Sequence, residues 1–189
     1  GRFQSADGEA DCVDCAVGRA SDVVAGDTDC DVCKTGRYQP RSGTTTCLNC
    51  IPGRYQQATE QTKCKEGEVD TFAEDPELAA CKECDAGKYA KQKGSASCQS
   101  CGAGFYGVGC QACPHGWSRS AEDSDLTACQ RCPQGETTPR EASASCSSCD
   151  LGQYGTDPGE CTECDSGKYQ DAKGALSCNP CPVDTYFEG

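Results

Sequence analysis

All seven tyrosines of this 189-residue chain occupy one slot, five residues after the second cysteine of a Cys-x-x-Cys pair. They are Tyr38, Tyr55, Tyr89, Tyr106, Tyr154, Tyr169 and Tyr186. A residue type confined to one slot means a tandem array of one small unit. That unit reads Cys-x-x-Cys-x-x-Gly-(Lys/Arg)-Tyr-Gln, then a short polar run, then the next Cys-x-x-Cys. Cys33-Lys-Thr-Gly36-Arg37-Tyr38-Gln39 and Cys50-Ile-Pro-Gly53-Arg54-Tyr55-Gln56 are good copies. First cysteines recur every 17 residues at Cys30, Cys47, Cys64, Cys81 and Cys98, a period that marks a stacked array.

The 21 cysteines are about 11 % of the chain, inside the range of a disulfide scaffold. The longest aliphatic run is Val23-Val24-Ala25 and there is no Met, so one packed core for the whole length is excluded. Cross-links or metal must stabilise the array unit by unit. The expected fold is small and disulfide-rich: an elongated tandem array of short two-stranded hairpins with very little helix. Glu74 to Ala80 is the one stretch that suggests a helical turn.

The array runs over 1–189 with about eleven units, irregular in length near 101–129 and 149–161. Gly1-Arg2-Phe3-Gln4 matches Gly36-Arg37-Tyr38-Gln39, and the last residues also stop within a unit. The chain is therefore expected to begin and end mid-unit, as a mature product or a section of a longer array. No run approaches the ~20 apolar residues of a membrane helix. The net charge of −13 argues against nucleic acid, whose partners are basic.

Sequence leaves the cysteine connectivity open. The preferred pattern links the second cysteine of each motif to the first of the next: Cys15–Cys30, Cys33–Cys47, Cys50–Cys64, Cys84–Cys98, Cys101–Cys110, Cys113–Cys129, Cys132–Cys146, Cys149–Cys161 and Cys164–Cys178. The alternative joins first to first and second to second. In the preferred frame Cys12 and Cys181 reach to neighbouring units. Cys81 lacks a partner, because Gly67 stands where a cysteine belongs: Cys64-Lys-Glu-Gly67 aligns with Cys178-Asn-Pro-Cys181. Cys-x-x-Cys pairs of this spacing also suit zinc. Eleven motifs do not group into sets of four ligands, so a zinc-binding module is only a remote alternative.

The glycine at Cys+3 follows nine of the ten complete pairs, with Asp184 the exception. It indicates a positive-φ turn, or close backbone approach under a disulfide. Gly43, Gly94, Gly174 and Ala142 sit mid-loop and suggest hairpin tips. The tyrosine ring is expected to cover a disulfide. Arg2, Arg19, Arg37, Arg54, Lys88 and Lys168 follow the unit glycine. If units stack alike, these cations form a stripe, either solvated or pairing laterally with an acidic face of another copy.

Several motifs mislead. Gly102-Ala-Gly104-Phe-Tyr-Gly107 fits a dinucleotide fingerprint but lacks the flanking strand and helix. His115, the one histidine, has no triad context. Asp27-Thr-Asp29-Cys-Asp31 and Asp123-Ser-Asp125 are oxygen-rich enough to raise calcium, without an EF-hand's glycine and glutamate. No other cofactor and no catalytic residue is indicated, so the chain is not read as an enzyme. Thr44-Thr45-Thr46, Thr137-Thr138-Pro139 and Ser143 to Ser148 are candidate O-glycan sites by composition.

The unit resembles the ephrin-receptor-like cysteine-rich repeat and, more loosely, tumour necrosis factor receptor modules. The resemblance implies an extracellular ladder of disulfide-linked hairpins. Such arrays occur in receptor ectodomains and in surface and fibre proteins. The expectation is a structural extracellular protein: a section of a filament, surface coat or flagellar-hair-like appendage, partnered by copies of itself. The alternative is an adhesion or receptor ectodomain with a protein or glycan ligand.

Overall fold

A computed structural model describes residues 1–4, 11–22 and 29–182. Among them, twenty-two strands of two residues each pair into eleven antiparallel hairpins, with no helix. The small, disulfide-rich hairpin array expected from the sequence is the fold observed. Each hairpin follows from the unit. The residues after the turn glycine form one strand (Arg37–Tyr38), and the two residues inside the next Cys-x-x-Cys form the other (Leu48–Asn49). The second cysteine then closes the pairing, as Cys50 N–H donates to Gly36 O at 2.8 Å. Glu74 to Ala80 holds a turn at Pro76–Glu77 rather than a helical one, with Glu77 at φ 67°. A left-handed residue cannot continue a right-handed helix.

The contacts cluster into two compact units, 1–84 with 88–99, and 85–87 with 100–189. In the first, the buried side chains are the half-cystines Cys15, Cys30, Cys33, Cys50 and Cys84, with Ala20, Ala73, Ala90, Ser21, Gln39 and Gln56. In the second they are Cys113, Cys129, Cys132 and Cys149 with Thr138, Ser143 and Arg119. The core is thus sulfur, methyl groups and satisfied amides. Gln56 shows how an amide is buried without loss: its Nε2 donates to Lys63 O at 2.7 Å and its Oε1 accepts from Ala58 N–H at 3.1 Å. Gln39 braces its own loop the same way through Thr46 O and Arg41 N–H. Among the described residues the repeat tyrosines are half-buried, except the more exposed Tyr169.

Packing between hairpins repeats at three levels. The turn glycine donates to the residue after the slot aromatic of the next hairpin: Gly36 N–H to Gln56 O, after Tyr55, and Gly53 N–H to Ala73 O, after Phe72, at 2.7 and 2.8 Å. The mid-loop residue donates back to the preceding hairpin's cysteine: Glu60 N–H to Cys33 O and Glu77 N–H to Cys50 O, 2.8 and 2.9 Å. That bond places the mid-loop carbonyl directly over the turn glycine two hairpins back. A Cβ on Gly18, Gly36 or Gly53 would collide with the carbonyl of Glu60, Glu77 or Gly94. In the second compact unit Gly104, Gly116 and Gly135 stand in the same relation to Ala142, Gly159 and Gly174. So the glycine is required by its φ near +77° at Gly36 and by a backbone approach. The approaching group is a loop carbonyl, not the disulfide anticipated from sequence.

Gly36 carries both constraints, Gly107 has φ 68° with open space around its Cβ position, and Gly102 has open space without positive φ. Gly36→Ala is expected to destabilise by about 3 kcal/mol or more, Gly107→Ala by about 1, and Gly102→Ala by under about 0.5 kcal/mol. Denaturant melts of the three variants check the order. Equal losses at Gly36 and Gly107 would remove the carbonyl contact from the explanation.

Candidate functional site

The disulfides of the structure are Cys15–Cys30, Cys33–Cys47, Cys50–Cys64, Cys84–Cys98, Cys101–Cys110, Cys113–Cys129, Cys132–Cys146, Cys149–Cys161 and Cys164–Cys178. Each ties the turn after one cysteine pair to the start of the next pair. Cys12, Cys81 and Cys181 are free thiols; Cys12 and Cys181 are exposed and Cys81 is half-buried. The Cys81 sulfur lies 2.7 Å from where a Cβ on Gly67 would stand and beside the Thr71 hydroxyl. The hairpin Thr71–Phe72 with Lys82–Glu83 therefore keeps its register, Phe72 opposite Lys82, without the cross-link. The turn slot here is Asp70, at φ 60°. Its backbone N–H donates to Ala90 O, and its carboxylate accepts from Ala90 N–H at 3.1 Å.

The cations after the unit glycine face carboxylates of their own chain. Arg2 pairs across its hairpin with Asp14, and Arg54 with Glu66, each at 2.7 Å. Arg19 holds Asp29 at 3.0 Å and also Glu60, two hairpins on. Arg37 reaches Glu77 in the same way, and Lys168 reaches Asp165 at 3.0 Å. Lys88 is not free either. Glu60 and Glu77 were not singled out from sequence. The available signal was alignment: both stand four residues before a first cysteine, as Gly43, Gly94, Ala142 and Gly174 do. That slot is left-handed throughout, at φ 55–73°. It is the bend that lifts the carbonyl over the glycine, rather than a free hairpin tip.

The remaining candidates are placed as follows. Asp27, Asp184 and Tyr186 lie outside the described residues. Asp29 accepts from Cys30 N–H at 2.7 Å and from Arg19, and these bonds hold its pKa below the usual carboxylate value. Asp123 accepts from Ser120 N–H at 2.7 Å. Asp125 accepts from the Thr127 hydroxyl and backbone N–H, which likewise lower its pKa. These carboxylates serve the loops that carry them. His115 is exposed. The Thr44 hydroxyl is buried without a partner, whereas Thr45 and Thr46 are exposed. Thr137 and Thr138 spend their hydroxyls on Gly159 O and Gly116 N–H. Ser143 is buried on Arg140 O.

The irregular loops have a structural role within the second unit. Cys101 to Cys110 is shortened, and Gly107 N–H donates to Leu126 O at 2.8 Å. The long loop from Cys113 to Cys129 supplies that residue, and the Leu126 side chain packs against Gly87. Arg119, 2 % exposed, occupies the slot filled elsewhere by glutamine. It donates to the carbonyls of Phe105 and Ser120.

This geometry defines a disulfide-stapled, cysteine-rich repeat array. Residues 71–109 and 152–188 match the family model described as tyrosine-protein kinase ephrin type A/B receptor-like. Those two stretches are similar to ephrin-receptor-like repeats. No curated protein matches it. Family and disulfide density together point to a secreted or cell-surface protein, since such cross-links persist in oxidising surroundings. No helix among the described residues is long and apolar enough to cross a membrane.

Burial against the neighbouring strands pushes the pKa of the Cys81 thiol up from its ordinary 9.0, and the Thr71 hydroxyl offsets part of that. The folded thiol therefore holds its proton more tightly than the unfolded one. Stability is unaffected below pH 9.0 and falls as pH rises from there through the folded value. Melts between pH 8 and about 11 should show this slope in the native chain and a weaker one in Cys81→Ser. Identical slopes would show that the thiol is not the titrating group.

Proposed function

We propose that the chain is a structural section of an extracellular filament, surface coat or flagellar-hair-like appendage, acting without a catalytic centre or cofactor. The observation that carries this reading is the clasp across three consecutive hairpins. Gly36, Cys50 O and the Glu77 loop belong to successive hairpins, and each closes on the others through backbone groups. Nearly every loop is also locked by a disulfide. Within each compact unit such packing resists unravelling, which is what a spacer or fibre needs. The carboxylates of Asp29, Asp123 and Asp125 and the hydroxyls of Thr137 and Thr138 are engaged in holding loops. O-glycans, where carried, are proposed at the exposed Thr45 and Thr46.

A second reading is favoured by the family match, whose description names a receptor: an adhesion or receptor ectodomain that displays a protein or glycan ligand site. Exposed apolar side chains such as Ile51 (62 % exposed) and Leu151 (59 %) offer contact points for it.

Electron microscopy of the protein isolated from its source, without reducing agent, separates the two. Long regular fibres with a short axial repeat are expected. Discrete particles of single-chain size would overturn the structural reading and favour the ectodomain.

A further inference from the structure

Between Cys15 and Cys178 the run of disulfide loops is interrupted at one place. Successive disulfide loops from Cys15 to Cys178 are separated by the two residues of a Cys-x-x-Cys, as at 31–32, 48–49, 99–100 and 111–112. Tension applied along the chain passes through each sulfur–sulfur bond, so the residues inside a loop cannot lengthen the molecule. Between Cys64 and Cys84 no such bond exists, and the whole of 65–83 lies in the load path.

We propose that residues 65–83 form an extensible link: a folded hairpin held only by non-covalent contacts, which opens under tension while the stapled hairpins stay closed and which uncovers Cys81. The contacts that hold it are those a pull would break. Gly67 N–H donates to Gly53 O, Glu77 N–H to Cys50 O, Asp70 N–H to Ala90 O, and Gly94 N–H donates to Gly67 O. Leu78 O accepts from Gln56 N–H at 3.1 Å. The ion pairs Lys82–Glu74 and Lys93–Glu68 are exposed and add little restraint. A disulfide closing a loop of this length suppresses opening by on the order of 100-fold, and this hairpin lacks that suppression. Fully drawn out, the segment supplies roughly 60 Å of contour.

The position of Gly67 makes the idea testable without rebuilding the fold. A Cβ there would stand 2.7 Å from the Cys81 sulfur, within tenths of an ångström of the ~3 Å between one half-cystine's Cβ and the other's sulfur. Gly67→Cys should close the missing staple and remove the loop from the load path. The proposal rests on the covalent path alone and stands whether the chain is a fibre section or an ectodomain.

The experiment is single-molecule stretching of the oxidised full chain, native and Gly67→Cys, with a maleimide present in a parallel set of pulls. The native chain should extend roughly 40 Å further than the variant before any covalent bond is reduced. Cys81 should be alkylated at least ~10-fold faster under load than at rest, while the rates at exposed Cys12 and Cys181 do not change. Equal extension from a variant shown by thiol counting to have closed the bond would overturn the proposal. Should the variant leave Cys81 free, the native chain decides alone: alkylation of Cys81 that does not respond to load overturns it, and acceleration confined to Cys81 supports it.

Discussion

The structure depends on a backbone carbonyl seated on a glycine. Glu60, Glu77, Ala142 and Gly174 each adopt a left-handed conformation, donate their N–H to the cysteine carbonyl of the previous hairpin, and so turn their own carbonyls onto the turn glycine two hairpins back. Nothing larger than hydrogen fits there. The same glycine has positive φ, so the turn that directs the chain into its strand and the surface that receives the later loop are one residue. Local and long-range requirements agree at that point, which is the consistency that lets short, weakly hydrophobic sequences specify one structure. Coupling reaches the next hairpin and the one after, so the array is quasi-one-dimensional with a slightly longer reach than nearest-neighbour stacking.

Stability does not come from a conventional core. Two-residue strands are far too short to hold alone, and the buried side chains are half-cystines, alanines, glutamines, serines, one threonine and Arg119. A disulfide closing a loop of 14 residues contributes up to about 3 kcal/mol, by a mechanism that depends on the model chosen. Because the burden is divided among loops, loss of one staple is survivable: the 67–81 hairpin keeps its register and inter-hairpin bonds without it. The buried amides do the work that leucine does elsewhere. Gln39 and Gln56 fill space and satisfy loop backbone groups that would otherwise be buried unpaired.

Most of this architecture was legible because the repeat is literal. The tyrosine slot marked the unit, and the paired cysteines with their turn glycine pointed to the series of short disulfide-linked hairpins that the structure shows. What one unit could not reveal was which units touch two steps apart. Hence Arg19 and Arg37 could be read as a stripe facing outward, when Glu60 and Glu77 meet them from the second hairpin along. For the same reason Gly43 and Gly94 read as tips, although their N–H groups bond Cys15 O and Gly67 O. Glu74 to Ala80 misled differently. Its composition suits a helical turn, but the slot at Glu77 demands left-handed φ, and the array's geometry prevails over local propensity.

The distribution of charge bears on how such an array meets its surroundings. Acidic residues outnumber Lys and Arg by 30 to 17, and the cations of the repeat slot are paired within the chain. What is left to face a partner is predominantly carboxylate. Bare copies laid side by side would therefore repel, the more so at low ionic strength. Internal use of the basic side chains thus does two things at once. It joins Arg19 and Arg37 to hairpins two apart, and it leaves a surface on which carboxylates predominate. That combination suits a protein whose order is built along the chain, by backbone bonds and disulfides, rather than across it.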